Sequence, residues 1–396
     1  MKALYVALLS SQRLIDDLKK KSGKNPGYAG QKFNRLIIEG LKKNEVNCEA
    51  FSSIPVNRDI SKKVFWNEKK EIENGISYKY IPFINLPYIH NICLMFYSFF
   101  YVLFWALGNR KEKFILMDIL NVSICIGTLL ACKIARLRCI GVLTDMPGLL
   151  VNASTSSKTK FFSTKNITQL YASYFDGYVL LTEQMNEIIN RKNKPYIVME
   201  GLADITINPI EIHNEETSKR SILYAGGLHE RYGLKMLVEA FIKISNPNYK
   251  LIIYGSGPFV EDLKEYAKKD CRIEYRGVAP NRDVMNAEKK ATILVNPRPT
   301  TEEFTKYSFP SKNMEYMSIG RPLLTTKLPG MPKDYYDYVY LFEEETVNGY
   351  KRILESVLQK SMNELDNKGI EGQKWILKNK NNVKQTLRII NLVKNI

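Results

Sequence analysis

The chain has 396 residues, 45% of them hydrophobic, and a formal net charge of +17 at neutral pH. This length predicts two domains, each able to bury its own core, and the composition excludes a disordered or fibrous protein. The six cysteines show no C-x-x-C spacing and the three histidines are scattered. The sequence therefore predicts no metal site and fits a reduced, cytoplasmic setting.

The basic excess suits either an anionic membrane surface or a solvated, lysine-rich surface. No helix-turn-helix, zinc-finger or RNP pattern accompanies it, so a nucleic-acid partner is not expected.

Short apolar strands alternate with helical stretches along the first half, which predicts βαβ units and a parallel sheet. Residues 3–9 are interpreted as a buried strand rather than a signal peptide, because the apolar stretch is short and no small-residue cleavage site follows it. Further strands are predicted at 114–117, 138–143 and 177–181.

Residues 92–107 are apolar apart from two tyrosines and one serine. As a helix, this segment would span roughly 24 Å, less than the roughly 30 Å of a hydrocarbon core, so it is not expected to cross a membrane. It is interpreted either as a buried core helix or as an interfacial helix with its aromatic rings at headgroup level. The two interpretations are compatible. The basic residues just beyond it are Arg110, Lys111 and Lys113.

Residues 205–219 lose apolar periodicity and are interpreted as a linker. This predicts an N-terminal domain at 1–208, a C-terminal domain at 209–375, and a C-terminal helix within 376–396 that packs back on the N-terminal domain. The second domain repeats the alternating pattern, with strands at 221–225, 249–254, 272–275 and 292–296, and helices at 234–244 and 259–268. The expected class is α/β, with two Rossmann-like domains facing each other across a cleft that holds the ligand.

Glycines follow the strands of the second half, at Gly226 and Gly227, at Gly255 and Gly257, and at Gly277. Glycine permits close backbone approach, so exposed N–H groups at these strand ends would hold phosphate, although each glycine also fits an ordinary turn. The first pair does not match G-x-G-x-x-G, and no acidic residue stands at the ribose-binding spacing. A nicotinamide dinucleotide is therefore not expected.

Residues 307–322, YSFPSKNMEYMSIGRP, hold the most specific pattern. A helix is predicted with Ser311 as its N-cap and Gly320 at its end. The Ser311 hydroxyl and the Lys312 charge at a helix N-terminus suit a diphosphate, and Glu315, one turn later, suits the paired hydroxyls of a ribose. The alternative is a Lys–Glu pair on a solvated helix.

Three segments in this half carry a family resemblance: YAGGLHERYGLKMLVEAF, LIIYGSGPFVEDL and SFPSKNMEYMSIGRPLL. Together they resemble the family-4 retaining glycosyltransferases of the GT-B fold, particularly the bacterial enzymes that build capsular and exopolysaccharides. The first half is similar more loosely, through NPGYAGQKFNRLIIEGLKK and the strand ending LTDMP.

The resemblance implies a nucleotide-sugar substrate, UDP- or GDP-linked, and no cofactor or metal. Ser311 and Lys312 would contact the donor diphosphate and Glu315 the ribose. The glycines Gly226 and Gly227 would approach the phosphates. The remaining implied donor-side residues are Gly277 and Val278, beside the base, and Gly30, facing the cleft from the first domain.

The sequence also departs from the family pattern. Family members commonly carry two glutamates with seven residues between them, and counting back from Glu315 reaches Tyr307, so the usual sugar-contacting carboxylate is missing. The usual Arg and Lys after the glycine loop align with Gly227 and Tyr232. This leaves Arg231 either as a substitute cation or as an exposed loop arginine.

The family mechanism implies retention without an established protein nucleophile, with the acceptor hydroxyl approaching the face that the diphosphate leaves. Lys312 and Arg231 would stabilise the diphosphate charge. Asp145, after a strand of the first domain, is either an acceptor-side polar group or a turn aspartate ahead of Pro147.

The implied function is hexosyl transfer to a lipid-linked oligosaccharide or polysaccharide at the cytoplasmic face of the membrane, in bacterial surface glycan synthesis. The alternative is a catalytically silent GT-B module that binds nucleotide-sugar or glycan as a scaffold, and Tyr307 is the feature that favours it.

Overall fold

The structure, a computed structural model, describes residues 1–23, 28–58, 60–108, 112–146, 168–206 and 219–396. Two compact units form the chain: unit 1 is Met1–Leu202 with Asn382–Ile396, and unit 2 is Ala203–Asn381. Each unit has its own largely parallel sheet with helices, which confirms the predicted α/β class with two Rossmann-like domains.

The strands are β1 Lys2–Val6, β2 Asn47–Ser52, β3 Phe65–Trp66, β4 Glu71–Glu73, β5 Ile76–Tyr80, β6 Phe83–Ile84, β7 Lys113–Asp118, β8 Arg138–Leu143, β9 Gly177–Leu180, β10 Tyr196–Val198, β11 Arg220–Gly227, β12 Tyr249–Ser256, β13 Ile273–Tyr275, β14 Ile293–Asn296, β15 Leu323–Thr326 and β16 Tyr340–Phe342. The α-helices are α1 Gln12–Ser22, α2 Tyr28–Lys43, α3 Ile89–Leu107, α4 Val122–Ala135, α5 Glu183–Ile189, α6 Leu234–Ile242, α7 Val260–Lys269, α8 Asn281–Lys290, α9 Ser311–Ile319, α10 Val347–Leu358, α11 Met362–Asn379 and α12 Asn382–Lys394.

The sheet of unit 1 has eight strands in the order β10-β9-β8-β7-β1-β2-β5-β4. Its neighbours pair in parallel except β4 with β5, and β3 and β6 form a separate antiparallel pair. The central strands β1, β7 and β8 are almost continuously buried, as expected for strands covered on both faces.

The sheet of unit 2 has six parallel strands in the order β13-β12-β11-β14-β15-β16. Buried side chains form two separate apolar clusters, one containing Leu237 and Leu251 and the other Leu223 and Met317. A parallel sheet needs such cover on both faces, because its strands have no solvated side.

The chain returns to unit 1 through α12, which packs against α2. The side-chain amide of Asn44 donates to the carbonyl of Val383 at 2.8 Å. At Gly40 a Cβ would lie 2.3 Å from the carbonyl oxygen of Asn382, so glycine lets the two helices approach closely. Unit 2 ends at Asn381 rather than at residue 375, because α11 continues to Asn379.

Some predicted features fall outside the described residues. They are the linker residues 207–218 with the boundary at residue 208, the start of the first-half glycine motif at 25–27, Pro147, Arg110 and Lys111.

The apolar segment predicted at 92–107 forms α3, and one side of this helix packs against the rest of unit 1. Tyr101 stacks on Phe51 of β2, with ring centroids 4.3 Å apart. A Cβ at Gly127 of α4 would lie 2.1 Å from the carbonyl oxygen of Met95, which shows how closely α3 and α4 pack. Within the described ranges, α3 is the one helix long and apolar enough to cross a membrane, by length and composition alone.

Gly127→Ala should therefore destabilise unit 1, because the new methyl group would push α3 from α4. We expect a loss of about 1–3 kcal/mol, as for other overpacking substitutions, partly offset by the helix propensity of alanine. Thermal melting of the purified variant measures it. The matched control is Gly30→Ala in α2, where an added Cβ meets nothing within 4 Å and no loss is expected. A Gly127→Ala protein that melts no lower than wild type would contradict the tight packing.

Candidate functional site

The order of strands in unit 2 marks where a ligand would bind. From β11 the chain moves outward to β12 and β13, and β14 then pairs on the other side of β11. In open parallel sheets, ligands bind outside the carboxyl ends of the strands at such a reversal. The carboxyl ends of β11 and β14 therefore define the candidate site.

The glycine loop at the end of β11 is held close to the end of β12. Gly226 lies opposite Gly255 in the register of the two strands. Gly255 has a φ of 131°, and a Cβ there would lie 1.9 Å from the carbonyl oxygen of Gly226. Only glycine fits this approach. Gly227, the last residue of β11, is exposed and can contact a ligand.

The residues predicted beside a nucleotide base lie next to this loop. The carbonyl of Gly277 accepts a hydrogen bond of 2.8 Å from the N–H of Gly255. Gly277 has a φ of 68° and open space where a Cβ would be, and the Val278 side chain is 75% exposed. The structure thus places Gly277 and Val278 beside the glycine loop.

Helix α9 begins one residue earlier than the sequence predicted. Pro310, not Ser311, occupies the N-cap position, and its carbonyl accepts the N–H of Asn313 at 2.9 Å. Ser311 is the first helical residue and is exposed, so its hydroxyl is not used as a cap. The helix ends at Gly320, with a φ of 91°, as predicted.

The buried Tyr316 fixes α9 against the end of β11. Its hydroxyl accepts the N–H of Ala225 at 2.8 Å and donates to the Ala225 carbonyl at 3.2 Å. Asn313 of α9 is hydrogen-bonded to Asn296, the last residue of β14. The first turn of α9 is therefore held at the carboxyl ends of β11 and β14.

Lys312 lies between two carboxylates. Its Nζ is 3.1 Å from Glu288 of α8 and 3.2 Å from Glu315, and the Glu288 side chain is fully buried. Burial disfavours the lysine charge, but Glu315 and Glu288 outweigh it and raise the pKa of Lys312. The Lys–Glu pair expected as the alternative does form, yet in a largely buried cluster and not on a solvated helix.

Arg231 is held in an aromatic cluster. Its guanidinium lies 3.3 Å from Glu302 and 4.4 Å from the centre of the Phe304 ring. This disagrees with the exposed loop arginine considered as the alternative. Glu302 is close enough to pair with Arg231, although it is out of register with the family's glutamate.

Arg298, which the sequence patterns did not single out, joins this cluster from the end of β14. Its guanidinium lies 4.6 Å from the centre of the Tyr232 ring. Burial raises the pKa of Tyr224 to about 12, with the nearby Arg298 charge opposing this rise. The Tyr224 hydroxyl donates to the Gly227 carbonyl at 2.9 Å. Arg298 therefore brings a second cation to the glycine loop. Its position just after a strand is the sequence feature that could have indicated it as a site residue.

Tyr307, which stands where the family has glutamate, follows the 3-10 helix Glu303–Lys306 and is half-buried. Its N–H donates to the Phe304 carbonyl at 3.0 Å. It ends the loop that leads into α9.

Two predicted residues belong to unit 1. Asp145 follows β8 at its carboxyl end, is half-buried and already has an interaction partner. Gly30 lies in the first turn of α2 and is exposed. The other predicted site residues are all in unit 2.

Unit 1 has a reversal of its own, between β1 and β7, and Asp118 is the last residue of β7 there. Its carboxylate accepts the N–H of Leu120 at 2.9 Å. Burial raises the pKa of Asp118 to about 6. A carboxyl group with a raised pKa at a strand end is a functional candidate that the sequence patterns missed. In the parts of the chain that the structure describes, no three His, Cys, Asp or Glu side chains form a metal-binding group.

Asp118→Asn should stabilise the protein more at pH 7.5 than at pH 5. The aspartate has an ordinary pKa when unfolded and a pKa of about 6 when folded, so folding stability falls as the pH rises through this window. Asparagine keeps the acceptor for Leu120 and removes the ionisation, for a gain of up to about 3 kcal/mol. Melting temperatures at the two pH values measure it. An equal change in melting temperature at both pH values would contradict the raised pKa of Asp118.

A comparison with known protein families matches a part of unit 2. Residues 219–360 match the family model described as glycosyl transferases group 1. No curated protein matches the chain.

Solved structures match over the whole chain. The lipopolysaccharide outer core galactosyltransferase WaaB, apo form, has a TM-score of 0.62 at 14% identity, covering 100% of this chain and 99% of its own. Sucrose-phosphate synthase of Thermosynechococcus elongatus has a TM-score of 0.68 at 14% identity, with 99% and 98% covered. Anabaena HepE in complex with UDP-glucose has a TM-score of 0.65 at 13% identity, with both chains fully covered at 100%. At these identities the likeness shows the fold. The chain therefore has the GT-B fold, and its residues 219–360 are similar to the group 1 glycosyl transferases.

Proposed function

We propose that this protein is a retaining glycosyltransferase that moves a sugar from a UDP- or GDP-linked donor to a glycan acceptor. The observation that carries the proposal is the first turn of α9, from Ser311 to Glu315, held at the reversal point of a group 1 glycosyl transferase domain. HepE, which shares the fold, binds UDP-glucose, and WaaB is a galactosyltransferase, which supports a nucleotide-sugar donor.

The donor diphosphate would bind at the start of α9. Backbone N–H groups and the helix dipole favour an anion there, and the exposed Ser311 hydroxyl adds a donor. Gly226 and Gly227 let the phosphates approach the end of β11. Glu315 would accept hydrogen bonds from the ribose hydroxyls, because its side chain is partly exposed beside Lys312.

The charge of the leaving diphosphate needs more than Lys312. Lys312 is already balanced by Glu288 and Glu315, so its cluster carries no net positive charge. Arg231 is paired with Glu302. Arg298, whose charge reaches the Tyr224 hydroxyl on the glycine loop, is assigned a share of the stabilisation. The proposed mechanism uses the backbone N–H groups of α9 together with these cations, and no metal ion or cofactor.

For retention, the acceptor hydroxyl would approach the face of the sugar from which the diphosphate departs, and the enzyme would act mainly by positioning. Asp145 and Asp118 are the proposed acceptor-side groups. Asp118, with a pKa of about 6, would be mostly ionised at neutral pH and still basic enough to accept a proton. Tyr307 would offer the donor sugar a hydroxyl in place of a carboxylate.

We further propose a lipid-linked or polysaccharide acceptor in bacterial surface glycan synthesis, reached from the cytoplasmic face of the membrane. The net charge of +17 supports an anionic membrane as a partner.

Removing the Lys312 charge should weaken nucleotide binding. Lys312→Ala alone would remove the lysine partner of the buried Glu288, so the test uses Lys312→Ala/Glu288→Gln, which removes both charges. UDP or GDP should raise the melting temperature of wild type, and about tenfold more nucleotide should be needed for the double variant. Lys378→Ala, an exposed lysine of α11, is the control and should respond as wild type does. An unchanged response of the double variant would remove Lys312 from the diphosphate site.

Arg298→Met should also weaken UDP or GDP binding by about tenfold, because it keeps a long apolar chain over the Tyr232 ring but loses the charge. Arg282→Met is the matched control, since this arginine is 88% exposed on α8. Isothermal titration measures both variants. If Arg298→Met binds UDP or GDP with the same affinity as wild type, Arg298 has only a packing role.

Transfer itself is tested with a panel of UDP- and GDP-sugars and lipid-linked acceptors. Turnover of one donor, with the anomeric configuration kept in the product, is the expected result. Tyr307 favours the one alternative, a silent module that binds nucleotide-sugar as a scaffold. Binding of a nucleotide-sugar without transfer to any acceptor, and without hydrolysis, would favour the silent module over the enzyme.

A further inference from the structure

One side of α3 is an exposed apolar row. Phe96, Phe100 and Phe104 are 53%, 50% and 69% exposed and follow one another at intervals of four residues. The packed side of the helix is occupied by Tyr101 on β2 and by Met95 against α4. The phenylalanine row therefore faces away from the rest of unit 1.

Helix α4 carries a second row beside it. Ile126, Leu130 and Ile134 are 37%, 51% and 64% exposed, again at intervals of four. Gly127 of α4 faces α3, and Ile126 and Leu130 line a cavity. The α3 row, the α4 row and this cavity are together called the α3–α4 face.

The cavity has a volume of about 940 Å³ and combines an apolar wall with a basic rim. Beyond α4, the exposed Leu170 and Tyr174 extend the apolar wall. The cationic side chains that line it are Lys133, Arg136, Arg138, Lys192 and Lys194.

Acidic groups do not balance this rim. Asp176 is the one acidic side chain among the described residues that line the cavity, and it accepts the N–H of Cys139 at 2.8 Å. Lys133 and Lys192 lie 5.6 Å and 5.4 Å from the centre of the Tyr174 ring, so their charges converge on one aromatic side chain. A ligand with an anionic head and an apolar tail would fit both parts of the cavity.

Further cations lie along the same edge of the sheet. Arg138 begins β8, and Lys2 and Lys113 begin β1 and β7, whose amino ends share one edge because the strands are parallel. Lys2 and Lys113 lie 5.5 Å and 4.8 Å from the Trp105 ring near the end of α3. Both helices thus end at a basic edge, opposite the carboxyl ends that carry Asp118 and Asp145.

We propose that unit 1 docks on an anionic phospholipid bilayer through the α3–α4 face, with the headgroup phosphate of one lipid in the basic cavity beside α4. Exposed aromatic and aliphatic rows insert shallowly into the headgroup region, and nearby cations attract anionic lipids. The combination of apolar rows with an unbalanced basic rim favours a lipid surface over a purely apolar protein partner. The inference deepens the proposed function, on which it rests for the lipid-linked acceptor.

Two variants test the two parts of this face separately. Phe100→Ser/Phe104→Ser removes apolar contacts, and Lys133→Glu/Lys192→Glu reverses the rim. Flotation with vesicles of pure phosphatidylcholine, and of phosphatidylcholine containing phosphatidylglycerol, measures binding of the whole protein. Wild type should bind the anionic vesicles and be released by high salt or alkaline wash. Each variant should bind them at least about tenfold more weakly.

Matched controls make similar apolar-to-polar or charge-reversing changes elsewhere. Phe65→Ser/Ile72→Ser removes two other exposed apolar side chains of unit 1, 58% and 73% exposed. Lys374→Glu/Lys378→Glu makes the same charge change on α11. Both should bind vesicles as wild type does. If these controls lose binding as strongly as the test variants, the face is not specific and the proposal is wrong.

Three other results would overturn the proposal: wild-type binding by both test variants, equal binding to neutral vesicles, or resistance to alkaline wash, which would mean that α3 is inserted across the bilayer. Retention on heparin or DNA with the same dependence on Lys133 and Lys192, without vesicle binding, would assign the rim to nucleic acid. The melting response to UDP or GDP is measured on the same samples. Because the α3–α4 face lies in unit 1, loss of docking with an intact nucleotide response separates this inference from the proposed function.

Discussion

The candidate donor site depends on one buried hydroxyl group. Tyr316 is fully buried, and its hydroxyl is hydrogen-bonded to both backbone groups of Ala225, at the end of the strand that carries the glycine loop. Leaving such a buried backbone group unpaired costs about 1–3 kcal/mol, so the contact strongly favours one placement of α9. Everything that the first turn of this helix presents to a ligand follows from that placement.

Around the Tyr316–Ala225 contact, the charged side chains form ion pairs and cation–π contacts. Lys312 is held by two carboxylates, and Arg231 and Arg298 lie over aromatic rings. Such side chains lose little further freedom when a ligand arrives, which is how preorganised sites gain electrostatic stabilisation without reorganising. The balanced lysine also keeps the site from carrying a large unpaired charge when it is empty.

The sequence predicted those parts of the fold that depend on local pattern. Continuously apolar strands such as β8 and β11 and the helix ending at Gly320 were found close to their true limits. Short or polar strands such as β2 and β16 were not, because their strand character comes from pairing with neighbours rather than from their own residues. Ser311 was predicted as the N-cap because side-chain caps are common, but here the carbonyl of the preceding proline closes the first turn.

The missed site residues share a reason: their roles depend on contacts between distant segments. Glu288 precedes Lys312 by a strand and a loop, and no spacing rule joins them. Arg298 is one of many basic residues until the sheet order places it at the reversal point. Asp118 is likewise distinguished only by burial. The roles assigned by resemblance, at Ser311, Lys312 and Glu315, remain predictions that the geometry makes specific enough to test.

The return of α12 to unit 1 has a consequence for how the protein is made. Unit 2 is one continuous stretch of chain, whereas unit 1 is completed only when α12 packs against Gly40 and Asn44. On the ribosome, the first two hundred or so residues would emerge without this helix and wait for the whole of unit 2 to be translated, at about 5–20 residues per second. The unit synthesised first is thus the one that can finish folding last, and chaperone contacts during that interval would fall on the surface of α2 that α12 later covers.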